Sequence, residues 1–125
     1  AEQARLLWAL VEAIDLTDDI RAATALNDLH VETLLDARDQ EGANPLHLAS
    51  WRGLSRTMRK ILEKPGMDLK RICGQDHRGR TPLHHAAATD SVGSIVEILA
   101  APGRCDLFAK DDEGKTALDI AQSWG

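Results

Sequence analysis

The amino-acid sequence predicts an all-α fold, a solenoid of helix pairs stacked side by side. A segment of thirteen residues occurs three times, as EGANPLHLASWRG (41–53), RGRTPLHHAAATD (78–90) and EGKTALDIAQSWG (113–125). Each copy opens with turn chemistry and a helix start, and apolar residues at helical spacing follow the first two copies. Because one helix pair cannot bury its apolar face alone, the copies are expected to stack.

The first two copies stay in register over a whole unit. Gly42 and Gly79 are 37 residues apart, and Gly114 follows 35 residues after Gly79. The offset of 37 holds without a gap and matches Pro45 with Pro82, Leu46 with Leu83, His47 with His84, Ala49 with Ala86, Ile61 with Ile98, Leu62 with Leu99 and Pro65 with Pro102. We infer that one supersecondary unit is used repeatedly.

Each copy begins with a tight turn that leads into a helix. An aspartate stands three residues before each leading glycine, where its side chain can bond the turn backbone while glycine accepts a positive φ. An N-cap residue follows, and in two copies a proline takes the first helical position, where its missing N–H has no consequence. The aspartates are Asp39, Asp76 and Asp111, the N-caps are Asn44, Thr81 and Thr116, and the prolines are Pro45 and Pro82. First helices are predicted over 46–52 and 83–89.

A second helix is predicted in each of the first two copies. Its apolar residues are Leu54, Met58, Ile61 and Leu62 in one copy, and Val92, Ile95, Val96, Ile98 and Leu99 in the next. A Pro-Gly pair at 65–66 and again at 102–103 ends this helix. The residues between the Pro-Gly pair and the next turn make the connections long.

These features resemble the ankyrin repeat. Residues 81–86 fit its Thr-Pro-Leu-His-x-Ala pattern at every fixed position, residues 44–49 lack only the Thr, and residues 116–121 keep Thr, Leu and Ala. The resemblance covers residues 39–125, although the offsets of 37 and 35 exceed the roughly 33 residues of the family. It implies that His47 and His84 are structural, hydrogen-bonding to the capping residue and to the backbone of the neighbouring turn.

The repeats predict four units. Residues 1–38 form a degenerate N-terminal capping repeat, because 5–14 and 17–29 are typical of two helices with a Thr or Asp cap between them. Residues 39–75 and 76–110 are two ankyrin repeats. Residues 111–125 form a partial repeat with its first helix only, and we expect this chain to be a piece of a longer protein.

Charge and cysteine content limit the functions further. The net charge is −5, yet residues 51–80 carry nine bases against three acids. Three interpretations of this basic stretch stay open: a solvated outer face, a surface for an acidic protein partner, or one for nucleic acid or anionic lipid. With one tryptophan as the only stacking aromatic there, nucleic acid is the least favoured.

Cys73 and Cys105 suit a reducing compartment, so we expect free thiols and an intracellular protein, in cytoplasm or nucleus.

No catalytic or cofactor motif emerges. The serines lie in no nucleophile-elbow context, glycines occur singly at turns, and Cys-x-x-Cys and His-Glu-x-x-His are absent from the sequence. A zinc site from Cys73, His77 and Cys105 is a strongly disfavoured alternative. We therefore expect a non-enzymatic chain without cofactor, metal or membrane span.

The resemblance implies a protein–protein interaction module that binds its partner along a concave groove. This predicted groove, formed by the turns and first helices, comprises Gln40, Glu41, Trp51, Arg52, His77, Arg78, Arg80, Thr89, Asp112, Glu113, Lys115 and Trp124. Two alternatives are a regulatory or substrate-recruiting segment of a larger enzyme or channel, and a spacer. Trp51 has two interpretations, a partner-binding hot spot or packing against the N-terminal cap.

Overall fold

A computed structural model describes residues 2–100 and 105–123, and helices dominate them. The elements are α1 (Glu2–Asp15), α2 (Asp19–Ala25) with a 3-10 turn (Leu26–Asp28), α3 (Val31–Asp36), α4 (Pro45–Arg52), α5 (Ser55–Glu63), α6 (Leu69–Ile72), α7 (Pro82–Ala88), α8 (Val92–Ala100) and α9 (Ala117–Gln122). No strand occurs within these two ranges. The all-α solenoid class is therefore confirmed, while the division into four units stays a prediction.

The helices form two rows. In the first row α1 packs against α4, α4 against α7, and α7 against α9; in the second, α2 packs against α5 and α5 against α8. Each helix contacts its equivalent in the next unit, which is how stacked repeats share a continuous core. The largest fully buried apolar side chains are Leu10, Ile14, Leu26, Leu34, Leu46, Met58, Ile61, Ile72 and Ile98.

Helix starts follow the predicted capping chemistry. The side chains of Asn44, Thr81 and Thr116 each accept the N–H of the residue three positions on. In α2 the cap is Asp18, whose carboxylate accepts from the N–H of Arg21. These bonds satisfy backbone donors that a helix start leaves free.

Three turns precede the repeated helices, and we call them the first, second and third finger (39–43, 76–80 and 111–115). Their glycines Gly42, Gly79 and Gly114 all have positive φ, as predicted. At Gly79 the backbone of the next finger is also close, because a Cβ there would lie 2.9 Å from the nitrogen of Asp112. A side chain at this position would push the two fingers apart.

The prediction of free cysteines is wrong. Cys73 and Cys105 form a disulfide, with their Cα atoms 5.4 Å apart. Packed helices are roughly 10 Å apart, a spacing that keeps equivalent positions of neighbouring units beyond the reach of a disulfide. Cys105 follows Cys73 by only 32 residues, fewer than the offset between units, so it lies earlier in its connection and beside the end of α6.

Candidate functional site

The fingers are held by the three recurring aspartates. In each finger one carboxylate oxygen accepts two backbone N–H groups, from the second and the fourth residue after the aspartate, at 2.9–3.0 Å. Neighbouring fingers are joined by bonds from the N–H of His77 to the carbonyl of Glu41, 2.9 Å, and from Asp112 to Arg78, 3.0 Å. The fingers therefore form one continuous ledge beside the first row of helices.

Burial and hydrogen bonding shift the pKa of two finger aspartates. For Asp76, burial favours the neutral form, but hydrogen bonds from His85 and from the N–H groups of Arg80 and Arg78 outweigh it and lower the pKa. For Asp111, burial is likewise outweighed by the N–H groups of Lys115 and Glu113, so its pKa is lowered. Both carboxylates are ionised while they hold their turns.

His47 and His84 are buried and bridge successive units, as the resemblance implied. The Nδ1 of His47 accepts the N–H of Asn44, and its Nε2–H donates to the carbonyl of Arg80 at 2.9 Å. His84 repeats this with the N–H of Thr81 and the carbonyl of Lys115. Burial, reinforced by nearby His85, lowers the pKa of His47 to about 4. His47 is therefore neutral at pH 7 and acts as a scaffold group.

The residues of the predicted groove fall into three groups. Partly covered are Arg80 and Thr89. Trp124 lies outside the described residues. Exposed are Gln40, Glu41, Trp51, Arg52, His77, Arg78, Asp112, Glu113 and Lys115. The fingers and helix ends thus present most of the set to solvent, while Ala43, which occupies a comparable finger position, is buried.

Trp51 lies at the end of α4 and is 47% exposed. Its indole contacts the imidazole of His85 edge-on, with ring centroids 5.8 Å apart. A side chain that filled space against the cap would be buried, so the exposed half favours the binding interpretation over the packing one.

His85 is a functional candidate that the sequence pattern did not single out. Its Nε2–H donates to the second carboxylate oxygen of Asp76 at 2.9 Å, and its ring also stands edge-on to His47, with centroids 5.4 Å apart. Burial lowers the pKa of His85, and the bond to Asp76 offsets only part of that effect. The sequence does contain one indication that His85 is unusual, because the aligned position in the preceding unit holds Leu48.

Basic groove residues already have acidic neighbours. Arg78 lies 4.0 Å from Glu41, and Arg80 lies 3.9 Å from both Asp111 and Glu113. These pairs join successive fingers. The Arg52 side chain has no ion pair among residues 2–100 and 105–123.

Outside the groove, part of the basic stretch also binds the adjacent unit. Arg59 pairs with Glu97 on α8, and Arg71 pairs with Asp36. The ammonium of Lys64 donates to the carbonyl of Leu26 at 2.8 Å. Much of the uneven charge along the chain is therefore used between successive units, which supports the outer-face interpretation.

A stack of capped helix pairs with a ledge of fingers defines a helical repeat protein. Residues 72–121 match a family model described as ankyrin repeats (many copies). The chain belongs to the ankyrin-repeat family, whose repeats are in general non-catalytic protein–protein interaction modules. No helix in the described part of the chain is long and apolar enough to cross a membrane.

Several curated proteins are similar to the chain. Neurogenic locus notch homolog protein 1 of Danio rerio is 34% identical over 96 residues, covering 74% of this chain and 4% of the relative. Rabankyrin-5 of Homo sapiens is 34% identical over 89 residues, covering 71% and 7%. Neurogenic locus Notch protein of Drosophila melanogaster is 36% identical over 83 residues, covering 66% and 3%. The chain thus spans a small fraction of each relative.

Proposed function

We propose that this chain binds a partner protein through the groove of finger turns and first helices. The observation that carries the proposal is Trp51, a large aromatic residue that is 47% exposed at a helix end. The aligned position in the following unit holds Ala88, so the stack itself does not require an aromatic ring there. Tryptophan is among the residue types most enriched at binding hot spots.

The charges beside Trp51 favour a partner with an acidic segment. Arg52 follows Trp51 directly and is exposed. Arg78 and Glu41 are also exposed, and their pair at 4.0 Å is of the weak surface kind. A carboxylate of the partner could replace Glu41 as the neighbour of Arg78 with little change in free energy. We place the module as a monomeric unit within a larger, intracellular chain and assign it no nucleic-acid partner.

The intracellular location was inferred from the cysteine content. The cysteine count no longer supports it, because Cys73 and Cys105 are joined and disulfides are rare in the cytosol. A second candidate function is the regulatory or substrate-recruiting segment of a larger enzyme or channel, which agrees with the small share of each relative that the chain spans.

Affinity capture with cross-linking tests the binding proposal. The chain and its Trp51→Ala and Arg52→Glu variants serve as baits, and Arg56→Glu, an exposed change on α5, is the matched control. We expect a protein that cross-links to the groove residues and is lost with the two groove variants but kept with the control. Equal capture by all four baits would contradict groove binding and favour a spacer.

A further inference from the structure

Three side chains from two successive units converge beside Trp51. They are His47 on α4, Asp76 in the second finger and His85 on α7, and one potential ligand atom of each lies within 4.8 Å of those of the other two. Asp76 and His85 are already in contact, 2.9 Å between Oδ2 and Nε2. The Nδ1 of His85 is buried and has no hydrogen-bond partner among the described residues.

The repeat scaffold does not account for His85. The preceding unit has Leu48 at the aligned position and the following unit has Ile120, and both units form the same finger and capped helix. A buried nitrogen without a partner calls for an explanation in a native structure. The imidazole therefore occupies a position where the fold also accepts an aliphatic side chain.

We propose that His47, Asp76 and His85 form a binding site for Zn²⁺ or a similar first-row transition-metal ion. Two imidazole nitrogens and one carboxylate oxygen are the donors that Zn²⁺ accepts, whereas Mg²⁺ and Ca²⁺ require mostly oxygen ligands. Three protein ligands would leave the fourth position of a tetrahedral centre for water or a donor from a bound molecule.

The side chains need only a small rearrangement to hold the ion. Ligand atoms about 2.0–2.1 Å from a tetrahedral Zn²⁺ lie about 3.3 Å from one another. Asp76 and His85 are 0.4 Å short of that spacing, and the Nε2 proton of His85 would move to the unpartnered Nδ1 so that Nε2 can bind the ion. His47 must approach, and if it uses Nε2 it gives up its bond to the carbonyl of Arg80. Metal binding would then be coupled to the bridge between two units.

The cluster lies close to the surface of the groove. The His85 side chain is 16% exposed, and its neighbour Trp51 is half-exposed. Metal binding by these three side chains does not require the proposed partner.

The test uses metal-stripped protein with the Cys73–Cys105 bridge intact, titrated with Zn²⁺ against a chromophoric chelator and with Co²⁺ followed by visible absorption. We expect one ion per chain, tetrahedral Co²⁺ bands, no effect of excess Mg²⁺, and shifted imidazole ¹⁵N resonances for His47 and His85 but not His84. His85→Leu should lower the affinity by at least about 100-fold and should fold, since Leu48 stands at the aligned position. His77→Ala and His30→Ala, which remove exposed histidines, should leave the affinity unchanged.

Equal Zn²⁺ affinity of the His85→Leu variant and the unchanged chain would overturn the proposal, because any binding would then reside elsewhere. Absence of binding at about 100 μM Zn²⁺, or loss of binding in His77→Ala alone, would overturn it as well. Asp76→Asn gives an independent check: weaker binding by a folded variant supports the site, and unchanged affinity removes Asp76 from the ligand set and refutes the site as proposed.

Discussion

The imidazole of His85 stands edge-on to the indole of Trp51, with ring planes 87° apart. Aromatic pairs favour this geometry because the positive edge of one ring meets the negative face of the other. The bond from the Nε2–H of His85 to Asp76 also holds the imidazole in place. Trp51 is therefore oriented by the next unit while half of its surface stays in solvent, and this preorganisation would lower the entropy lost in the proposed partner binding.

Trp51→Ala is expected to separate binding from stability. Loss of a hot spot should weaken partner binding by about 2 kcal/mol or more. A fully buried tryptophan would lose about 3–5 kcal/mol of stability, and with 47% of its surface exposed we expect about half of that or less. Urea unfolding and binding measured on the same variant check both values, with Trp8→Ala, 74% exposed on α1, as the control. Strong destabilisation with unchanged binding would favour the packing interpretation.

His84→Ala should destabilise the fold by about 1–3 kcal/mol, because the carbonyl of Lys115 and the N–H of Thr81 lose their buried partner. Equilibrium urea denaturation measures the change. His77→Ala, which alters an exposed side chain, should have a free energy of unfolding within about 0.5 kcal/mol of the unchanged chain. Similar values for the two variants would show that the bridge between units contributes little.

Asp19 ties the second row of helices together. Its carboxylate on α2 accepts the N–H groups of Arg56 and Thr57 at the start of α5, at 3.1 and 2.8 Å, and the Thr57 hydroxyl at 2.7 Å. Leu54, the N-cap position of α5, makes no side-chain bond to the helix, so the neighbouring unit supplies the cap. Asp19→Ala should lower the free energy of unfolding by about 1–2 kcal/mol, and Asp15→Ala, an exposed change, is the matched control in thermal or urea unfolding.

The features that the sequence predicted well involve residues that are close together in the chain. Asn44 and Thr81 cap helices because their side chains reach backbone groups three residues on, and that chemistry depends on adjacent residues alone. The bridging role of His47 came from the family resemblance, since no local pattern shows that its Nε2 meets Arg80 in the next unit.

The features that the sequence did not predict arise from contacts between different units. The cap that Asp19 provides joins α2 to residues 37 and 38 positions further along the chain. In the cluster around His85, the imidazole contacts His47 and Trp51 of the preceding unit. The short helix α6 lies in a connection whose length departs from the family pattern, although Asp68 does cap it. The disulfide was missed for the same reason, because the path of that connection brings Cys73 to Cys105.

The Cys73–Cys105 bridge should be detectable as a mass two hydrogens lower than that of the reduced chain. The bridge closes a loop with a sequence separation of 32, and such cross-links typically stabilise by about 2–4 kcal/mol through the unfolded state. Reductant should therefore lower the melting temperature of the chain and leave a Cys73→Ser/Cys105→Ser double variant unaffected. Alkylation of both thiols in the folded, unreduced protein would contradict the bridge.

Asp111 should give the fold part of its acid sensitivity. Its folded-state pKa is lowered, below the value of about 3.9 for an unfolded chain. The ionised carboxylate therefore stabilises the fold at pH values above the unfolded pKa, and this contribution disappears as the pH falls through the folded pKa.

Asp111→Asn keeps an oxygen for the N–H groups of Glu113 and Lys115 but removes the charge, so it should be less stable by about 1–2 kcal/mol near neutral pH. The difference in the free energy of unfolding between this variant and the unchanged chain should shrink as the pH is lowered from about 7 to about 2. Urea unfolding across that range measures it. Asp112→Asn, an exposed neighbouring change, is the control, and a deficit for Asp111→Asn that is constant with pH would show that the charge of Asp111 does not stabilise the third finger.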